Sequence, residues 1–199
     1  MANKRKEAVF IDRDGTIIVE KGFLSEPDDV ELIPGAVDAV AKLNSAGFAV
    51  IIVSNQSGVA RGYFDEEAVR NVNARVEKIF SDNGAAIDAI YYCPHYIGGS
   101  VEEYALDCPC RKPKTGMVEK AVGELNVIPA FVIGDRKSDI ELGKNLKIPA
   151  ILVLTGYGKE QRHVQEHVPV LSHCRAMDNP SIFLKLQRIF YQYALKTCC

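Results

Sequence analysis

The stretch Phe10-Ile-Asp12-Arg-Asp14-Gly-Thr16 joins an apolar segment to two carboxylates that are one residue apart. Residues 9–11 have the composition of a buried β-strand. If the chain stays extended beyond them, side chains two positions apart face the same way, so Asp12 and Asp14 would converge on one ligand. Converging carboxylates repel each other unless a cation or a proton lies between them. The stretch therefore predicts a cation site, although taken alone it is also compatible with a turn, because Asp and Gly are common turn residues.

Working outward from this stretch, short β-branched runs alternate with segments of helical periodicity. This alternation is typical of parallel strands joined by crossover helices, and it predicts an α/β, Rossmann-like sheet with helices on both faces. The predicted strands are residues 9–11, 48–53, 89–93, 130–133 and 150–154. The predicted helices are residues 36–46, 66–80 with Asp65 as the N-cap, 117–125, 138–146 and 181–195.

The composition favours one soluble domain that spans residues 1–199, since 47% of the 199 residues are hydrophobic and 25% are charged. The net charge of −2 argues against nucleic acid as a partner. No apolar run approaches the roughly 18 residues of a membrane helix, and the first residues contain no cleavable apolar stretch. We therefore expect a cytoplasmic protein without a membrane partner, and a monomer.

Three further polar stretches follow predicted strands. Ser54-Asn55-Gln56-Ser57 offers donors to phosphoryl oxygens, and Arg111-Lys112 supplies two cations ahead of a helix. Asp135 and Asp139 follow the fourth strand and offer the oxygen ligands that Mg²⁺ prefers. Because ligands bind at the carboxyl ends of parallel strands, these stretches together predict a magnesium-dependent phosphate site.

The cysteines predict a second metal site. Cys93-Pro-His95 is followed after twelve residues by Cys108-Pro-Cys110. Three thiolates and one imidazole form a closed four-coordinate set that suits structural zinc, and without a secretory signal a disulfide framework is the weaker interpretation. Zinc would hold the loop 93–110 and so place Arg111 and Lys112. We assign no role to the remaining thiols, Cys174, Cys198 and Cys199.

From about residue 9 to residue 153 these motifs resemble the haloacid dehalogenase (HAD) superfamily of phosphotransferases. The resemblance implies that Asp12 is the nucleophile, which forms an aspartyl-phosphate, and that Asp14 is the general acid and base. It implies that Ser54 binds the phosphoryl oxygens and that Lys112 neutralises charge. The implied Mg²⁺ ligands are Asp12, the main-chain carbonyl of Asp14, and Asp135, with Asp139 in support.

Residues 55–62, 91–95, 99–103 and 110–113 resemble a narrower family, the bacterial D-glycero-D-manno-heptose-1,7-bisphosphate 7-phosphatases. That family makes heptose for lipopolysaccharide or other glycans; the histidinol-phosphate phosphatases share its zinc-bearing scaffold and are the alternative. The resemblance implies a small phosphorylated sugar as substrate. The implied substrate contacts are Glu20, Lys21, Gly22, Phe23, Asn55, Gln56, Ser57, Arg111 and Arg136, the last at a position where the family commonly has lysine.

Substrate size and charge follow from the chain itself. We expect no large cap domain, so residues 15–34 and the zinc loop alone would cover the crevice. Arg61, Arg111 and Arg136 favour a bisphosphate over histidinol phosphate, whose amine would prefer a carboxylate such as Glu20. A non-catalytic, zinc-stabilised binding module is the alternative of another class, and the intact acids argue against it. His163 and His167 lie four residues apart and could bind a metal, but a solvated helix face is the simpler interpretation.

Overall fold

Five parallel strands form one sheet in the order β3-β2-β1-β4-β5 in this computed structural model, which describes residues 5–161. The strands are β1 (Glu7–Ile11), β2 (Ala49–Asn55), β3 (Ala89–Cys93), β4 (Ile128–Gly134) and β5 (Ala150–Leu152). The predicted helix 181–195, the three histidines beyond residue 161 and the three trailing cysteines lie outside the described residues.

Helices follow the strands as the periodicity predicts. They are α1 (Ala36–Ser45), α2 (Glu66–Asp82), α3 (Gly116–Leu125), α4 (Lys137–Leu146) and a short α5 (Gly158–Gln161). The predicted N-cap of α2 is confirmed, because the Asp65 side chain accepts a hydrogen bond from the Ala68 N–H at 2.9 Å. Among residues 5–161, no helix combines the length and the apolar composition needed to cross a membrane.

The central strand β1 is buried on both faces. Val9 and Ile11 pack into one apolar cluster with α1 and α2, whereas Ala8 and Phe10 pack into a second cluster with α3 and α4. Alternate residues of a strand point to opposite faces, so an uninterrupted apolar strand requires a cover on each side. The predicted sheet with helices on both faces is confirmed.

Of the five strands, β3 has both predicted ends, and the other four differ from their predicted ranges by one or two residues. β2 continues through Ser54 and Asn55, because it pairs with β3 up to the match of Asn55 with Cys93. β5 ends at Leu152, two residues earlier than predicted. The pairing of β1 with β4 also shifts register between Ala8 and Val9, near Pro129, whose nitrogen carries no hydrogen for a strand pair.

The strand order places the carboxyl end of β1 at the point where the chain changes direction across the sheet. Successive strands run outward from β1 to β3, and β4 then returns to the other side of β1. In open parallel sheets the ligand crevice lies outside the carboxyl ends at such a point. Asp12 follows β1 directly, and Asp135 follows β4, the neighbour of β1.

Candidate active site

A pocket of about 360 Å³ opens above the carboxyl ends of β1 and β2. It brings together predicted site residues from five separate stretches of the chain. The predicted residues that line it are Asp12, Asp14, Glu20, Gly22, Phe23, Ser54, Asn55, Gln56, Ser57, Arg111, Lys112 and Arg136. The pocket does not include Lys21, whose ammonium donates to the Asp29 carbonyl at 2.8 Å.

An acidic cluster lies at the inner end of this pocket. The carboxylates of Asp12, Asp135 and Asp139 are all buried, and they offer oxygen atoms within 4.8 Å of one another. Lys112 inserts its ammonium between two of them, with Nζ 2.8 Å from Asp12 Oδ1 and 2.6 Å from Asp139 Oδ1. Three buried carboxylates with one ammonium retain negative charge, which suits a divalent cation with oxygen ligands.

Burial dominates the titration of these acids. It raises the pKa of Asp12 to about 8, against the opposing effect of Lys112, and Asp139 and Asp135 add to the rise. Burial likewise raises the pKa of Asp135 to about 6. Burial would lower the pKa of Lys112, but the facing carboxylates outweigh it and the pKa is raised. The lysine is therefore held charged, and the acids favour a state in which a proton or a cation neutralises them.

The Asp135 carboxylate is fixed by its surroundings. Its Oδ2 accepts a hydrogen bond from the Tyr157 N–H at 2.8 Å. Gly15, at φ +78°, and Gly156 approach the same carboxylate so closely that a Cβ on either would overlap it. Glycine at position 15 thus meets two demands, a left-handed backbone and room for the Asp135 carboxylate.

The Asp14 carboxylate lines the pocket but lies outside the acidic cluster. It accepts hydrogen bonds from Gln56 Nε2 at 2.8 Å, from Ser54 Oγ at 3.4 Å and from the Arg13 guanidinium. Asp12 and Asp14 thus line the same pocket, but only the Asp12 carboxylate belongs to the acidic cluster. The reason is local: the strand ends at Ile11, and the N–H groups of residues 16–18 turn back to the Arg13 carbonyl.

The backbone of Lys112 is tied to the end of β2. Asn55 accepts from the Lys112 N–H at 3.0 Å and donates to the Lys112 carbonyl at 3.1 Å. Asn55 is a predicted substrate contact, and these two bonds show that its amide also holds the lysine in place. Sequence spacing carries no signal for such a pairing, since 57 residues separate the partners.

Cationic and aromatic side chains form the pocket rim. The Arg61 guanidinium lies 4.3 Å from the centre of the Tyr96 ring, and that of Arg111 lies 5.1 Å from the same ring. Arg136, also in the pocket lining, pairs with Glu20 at 2.9 Å and stacks on Tyr157 at 4.0 Å. The aromatic partners were not among the predicted site residues.

The four predicted zinc ligands come together. The sulfur atoms of Cys93, Cys108 and Cys110 lie 2.9–3.3 Å apart, and His95 Nδ1 lies 3.3 Å from Cys110 Sγ. These sulfur distances are far longer than the roughly 2.05 Å of a disulfide. Hydrogen bonds, chiefly from Cys93, lower the pKa of the Cys110 thiol to about 5. The cluster could hold a metal ion.

The cluster of Cys93, His95, Cys108 and Cys110 is also connected to the pocket. Arg111 follows Cys110 directly in the chain, and its Nη1 donates to the His95 carbonyl at 3.0 Å. The Tyr104 hydroxyl anchors the same loop to the start of α2, donating to Glu66 Oε1 at 3.0 Å. The loop 93–110 is therefore tied both to the pocket rim and to the helical layer.

Comparison with known proteins agrees with this geometry. Residues 7–140 match the family described as polynucleotide kinase 3 phosphatase, and residues 109–174 match the family described as HAD-hydrolase-like. A D-glycero-beta-D-manno-heptose-1,7-bisphosphate 7-phosphatase of Pasteurella multocida is 42% identical over 154 residues, which are 76% of this chain and 83% of the relative. The enzyme of the same name from Escherichia coli K12 is 40% identical, over 77% of this chain and 82% of the relative.

Solved structures show the same similarity. The D,D-heptose 1,7-bisphosphate phosphatase of B. bronchiseptica, complexed with magnesium and phosphate, superimposes with a TM-score of 0.73 at 28% identity, over 95% of this chain and 99% of that one. The corresponding phosphatase of Burkholderia thailandensis gives a TM-score of 0.56 at 27% identity, with the same coverage.

Fold and site together define a HAD-like hydrolase, an enzyme that cleaves phosphoric monoesters. Within that class, the chain belongs to the family of the D-glycero-D-manno-heptose-1,7-bisphosphate 7-phosphatases. The oxygen-rich cluster of Asp12, Asp135 and Asp139 suits the magnesium that accompanies the B. bronchiseptica enzyme.

Proposed function

We propose that this chain removes the 7-phosphate of D-glycero-D-manno-heptose 1,7-bisphosphate in a Mg²⁺-dependent reaction through an aspartyl-phosphate. The observation that carries the proposal is the buried arrangement of Asp12, Lys112 and Asp139 beneath the pocket. A phosphate monoester is close to a dianion, so a carboxylate can attack it only where cations offset the repulsion. The names of the relatives supply the substrate.

In the first step an Asp12 oxygen attacks phosphorus, and the bond from phosphorus to the sugar oxygen breaks. The proton on Asp14 passes to that leaving oxygen, while Lys112 and Ser54 stabilise charge on the transferring phosphoryl group. In the second step water attacks the phosphoryl group and gives a proton to Asp14, and the bond to Asp12 breaks. Inorganic phosphate leaves, and both aspartates return to their starting forms.

Asp12, Asp135 and the main-chain carbonyl of Asp14 would hold the magnesium ion. When bound, that ion supplies charge neutralisation for the nucleophile and the phosphoryl oxygens. Asp139 plays the supporting part, because its Oδ1 receives Lys112 and its Oδ2 accepts from the Arg136 N–H at 3.0 Å. The donor set fits Mg²⁺, since it is made of oxygens from hard, buried carboxylates.

We assign the Cys93, His95, Cys108 and Cys110 cluster to zinc in a structural role. Three sulfurs and one imidazole nitrogen form a complete tetrahedral set, which leaves no position for water or substrate. Zinc would fix the loop that carries Arg111 and Lys112. Its contribution to catalysis is thus to place the substrate-facing cations.

The second phosphate of the substrate would bind at the rim beside Arg61 and Arg111. Neither guanidinium pairs with a carboxylate anywhere in residues 5–161, and both lie against Tyr96 at the pocket. Arg136 differs, because Glu20 already neutralises it. This asymmetry directs an anionic group to one side of the pocket and leaves the Glu20 side for sugar hydroxyls.

The biological setting belongs to the same proposal. We infer that the product serves the heptose branch of lipopolysaccharide or another glycan, and that the enzyme works in the cytoplasm as a monomer on a small phosphorylated sugar. No nucleic-acid or membrane partner is needed for this activity. The relatives carry the name of the β-anomer, so we propose the β-1-phosphate as the preferred substrate.

A side-by-side rate comparison tests the proposal. The purified protein with Mg²⁺ would be given the α- and β-anomers of the heptose bisphosphate and histidinol phosphate, and phosphate release would be measured. We expect the highest kcat/KM with the β-anomer. A preference for histidinol phosphate would reverse the substrate assignment, and no turnover of any of the three would favour a non-catalytic binding module.

Arg111→Met and Arg111→Lys sharpen this comparison. Loss of the guanidinium should raise KM for the bisphosphate about tenfold or more, because the second phosphate of the substrate loses its cationic partner at the rim. The small substrate 4-nitrophenyl phosphate has no second phosphate, so its KM should change much less. Equal effects on both substrates would contradict a second-phosphate site at Arg111.

A further inference from the structure

We propose that Arg13 is a positioning residue for Asp14, and that Asn73 of α2 holds Arg13 in that role. The proposal rests on the acid and base function proposed for Asp14 above. It adds a link between a helix of the outer layer and the reacting atoms. Neither Arg13 nor Asn73 was a candidate on sequence grounds.

Arg13 contacts both oxygens of Asp14. Its Nε donates to Oδ2 at 3.0 Å, and its Nη2 donates to Oδ1 at 3.1 Å. The arginine side chain is 1% exposed, and within residues 5–161 Asp14 is the only carboxylate that pairs with it. A planar guanidinium that grips both oxygens fixes the plane of the carboxylate as well as its distance.

The third guanidinium donor reaches across to α2. Arg13 Nη1 donates to Asn73 Oδ1 at 2.6 Å. Asn73 is buried in a helix face whose other buried members are all apolar, namely Val69, Val72, Val76 and Phe80. A polar side chain in such a face is costly unless it is hydrogen-bonded, so Arg13 accounts for its presence.

Without Arg13, the position of Asp14 would be poorly determined. Asp14 lies in the turn after β1, where no strand pairing fixes its side chain. Gln56 and Ser54 both donate to Oδ2 alone, so Oδ1 would lose the hydrogen bond from Arg13 Nη2. A displacement of about 1 Å of a catalytic group can cost about 100-fold in rate.

The two half-reactions provide a readout that a purely structural role would not give. With 4-nitrophenyl phosphate the leaving group needs little help from a proton donor, so phosphorylation of Asp12 depends weakly on Asp14. Hydrolysis of the aspartyl-phosphate still needs Asp14 as base. Misplacing Asp14 should therefore slow the second step selectively and leave a burst of one 4-nitrophenol per enzyme molecule.

Rapid-mixing kinetics of Arg13→Met test this. We expect steady-state turnover to fall about 100-fold while the burst rate stays within about threefold of the wild type, as in Asp14→Asn. Arg13→Lys should resemble Arg13→Met, because an ammonium cannot grip both oxygens. Lys78→Met, which removes an exposed lysine paired with Asp82 on the same helix, should behave as the wild type.

The double variant Arg13→Met/Asn73→Leu guards against loss of folding, because it removes both partners and leaves no buried polar group unpaired. It should melt as a folded protein and show the same burst. Wild-type turnover in the folded Arg13 variants, or an equal fall of burst and steady-state rates, would overturn the inference. If Asp14→Asn itself gives no burst, the proposed mechanism fails instead.

Discussion

Lys112, which follows the loop 93–110, and Asp12, which follows the central strand β1, form a buried ion pair with 2.8 Å between Nζ and Oδ1. Both residues are about 5% exposed or less. The same ammonium contacts Asp139, so one lysine joins residues that follow β1 and β4. Removing one partner of a buried pair leaves an uncompensated charge.

Lys112→Met should therefore lower kcat about 100-fold or more, because the attacking carboxylate and the phosphoryl group lose a buried cation. Lys112→Arg should not restore activity, since the larger planar group does not fit the position of an ammonium. Lys114→Met is the matched control, because its ion pair with Asp107 is exposed. Steady-state kinetics on folded protein check this, and near-normal turnover of Lys112→Met would contradict the role of the lysine.

The raised pKa values predict how magnesium binding depends on pH. Without metal, the pKa of Asp12 is raised to about 8 in the folded protein. Between about pH 4 and pH 8 the folded protein therefore keeps a proton on Asp12, whereas the unfolded chain has released it. This contribution makes the metal-free protein less stable as the pH rises from about 4 through 8. Mg²⁺ must displace the proton, and its binding should strengthen over the same interval.

Thermal melting at about pH 6 and about pH 9, with and without Mg²⁺, measures this linkage. The increase in Tm caused by Mg²⁺ should be larger at the higher pH. In Asp12→Asn, the increase in Tm caused by Mg²⁺ should be nearly the same at the two pH values. An equal increase in Tm at both pH values would show that these acids do not bind the ion.

Two glycines with the same backbone conformation allow the effect of backbone strain to be measured apart from the effect of a clash with Asp135. Gly15 has φ +78° and Gly84 has φ +77°, but only Gly15 faces the Asp135 carboxylate; Gly84 faces open space. Gly84→Ala should cost about 1–2 kcal/mol of stability and leave kcat unchanged. Gly15→Ala should cost at least as much and also abolish Mg²⁺-dependent turnover. Equal activity of the two variants would mean that Asp135 tolerates displacement.

Metal analysis tests the four-ligand cluster. The purified protein should contain one zinc per chain, and Cys108→Ser should lose it. We expect the variant to lose at least about tenfold in kcat/KM, because the loop no longer places Arg111 and Lys112. Cys174→Ser changes a thiol outside the predicted ligand set and should retain both zinc and activity. A zinc-free wild-type protein with full activity would contradict the assignment.

The sequence predicts the fold because its signals are local. Every strand of the sheet is an apolar run, and α1 to α4 begin within about two residues of the predicted positions. The acids at the strand ends could be found in the same way, since the topology brings those ends together. The four members of the Cys/His cluster were also identifiable, because two short spacings place them in pairs.

The remaining features depend on contacts that no spacing encodes. The turn after Ile11 brings the Asp14 carboxylate to the Arg13 guanidinium, whereas alternation in an extended strand indicates only that Asp12 and Asp14 face the same way. The partner of Arg13 lies 60 residues away in α2. The polar amide of Asn73 in an apolar helix face is the one clue in the sequence, and it indicates a buried partner without identifying it.

The central claim is that Asp12 becomes phosphorylated. Asp14→Asn should accumulate the intermediate from 4-nitrophenyl phosphate, whose leaving group needs little help from a proton donor. This variant would be mixed with that substrate and Mg²⁺, quenched in acid, and digested for mass spectrometry. The account predicts one phosphoryl group on the peptide that contains Asp12. Hydroxylamine should release this group, and the double variant Asp12→Asn/Asp14→Asn should lack it. A phosphoryl group on another residue, or undiminished turnover by Asp12→Asn alone, would contradict it.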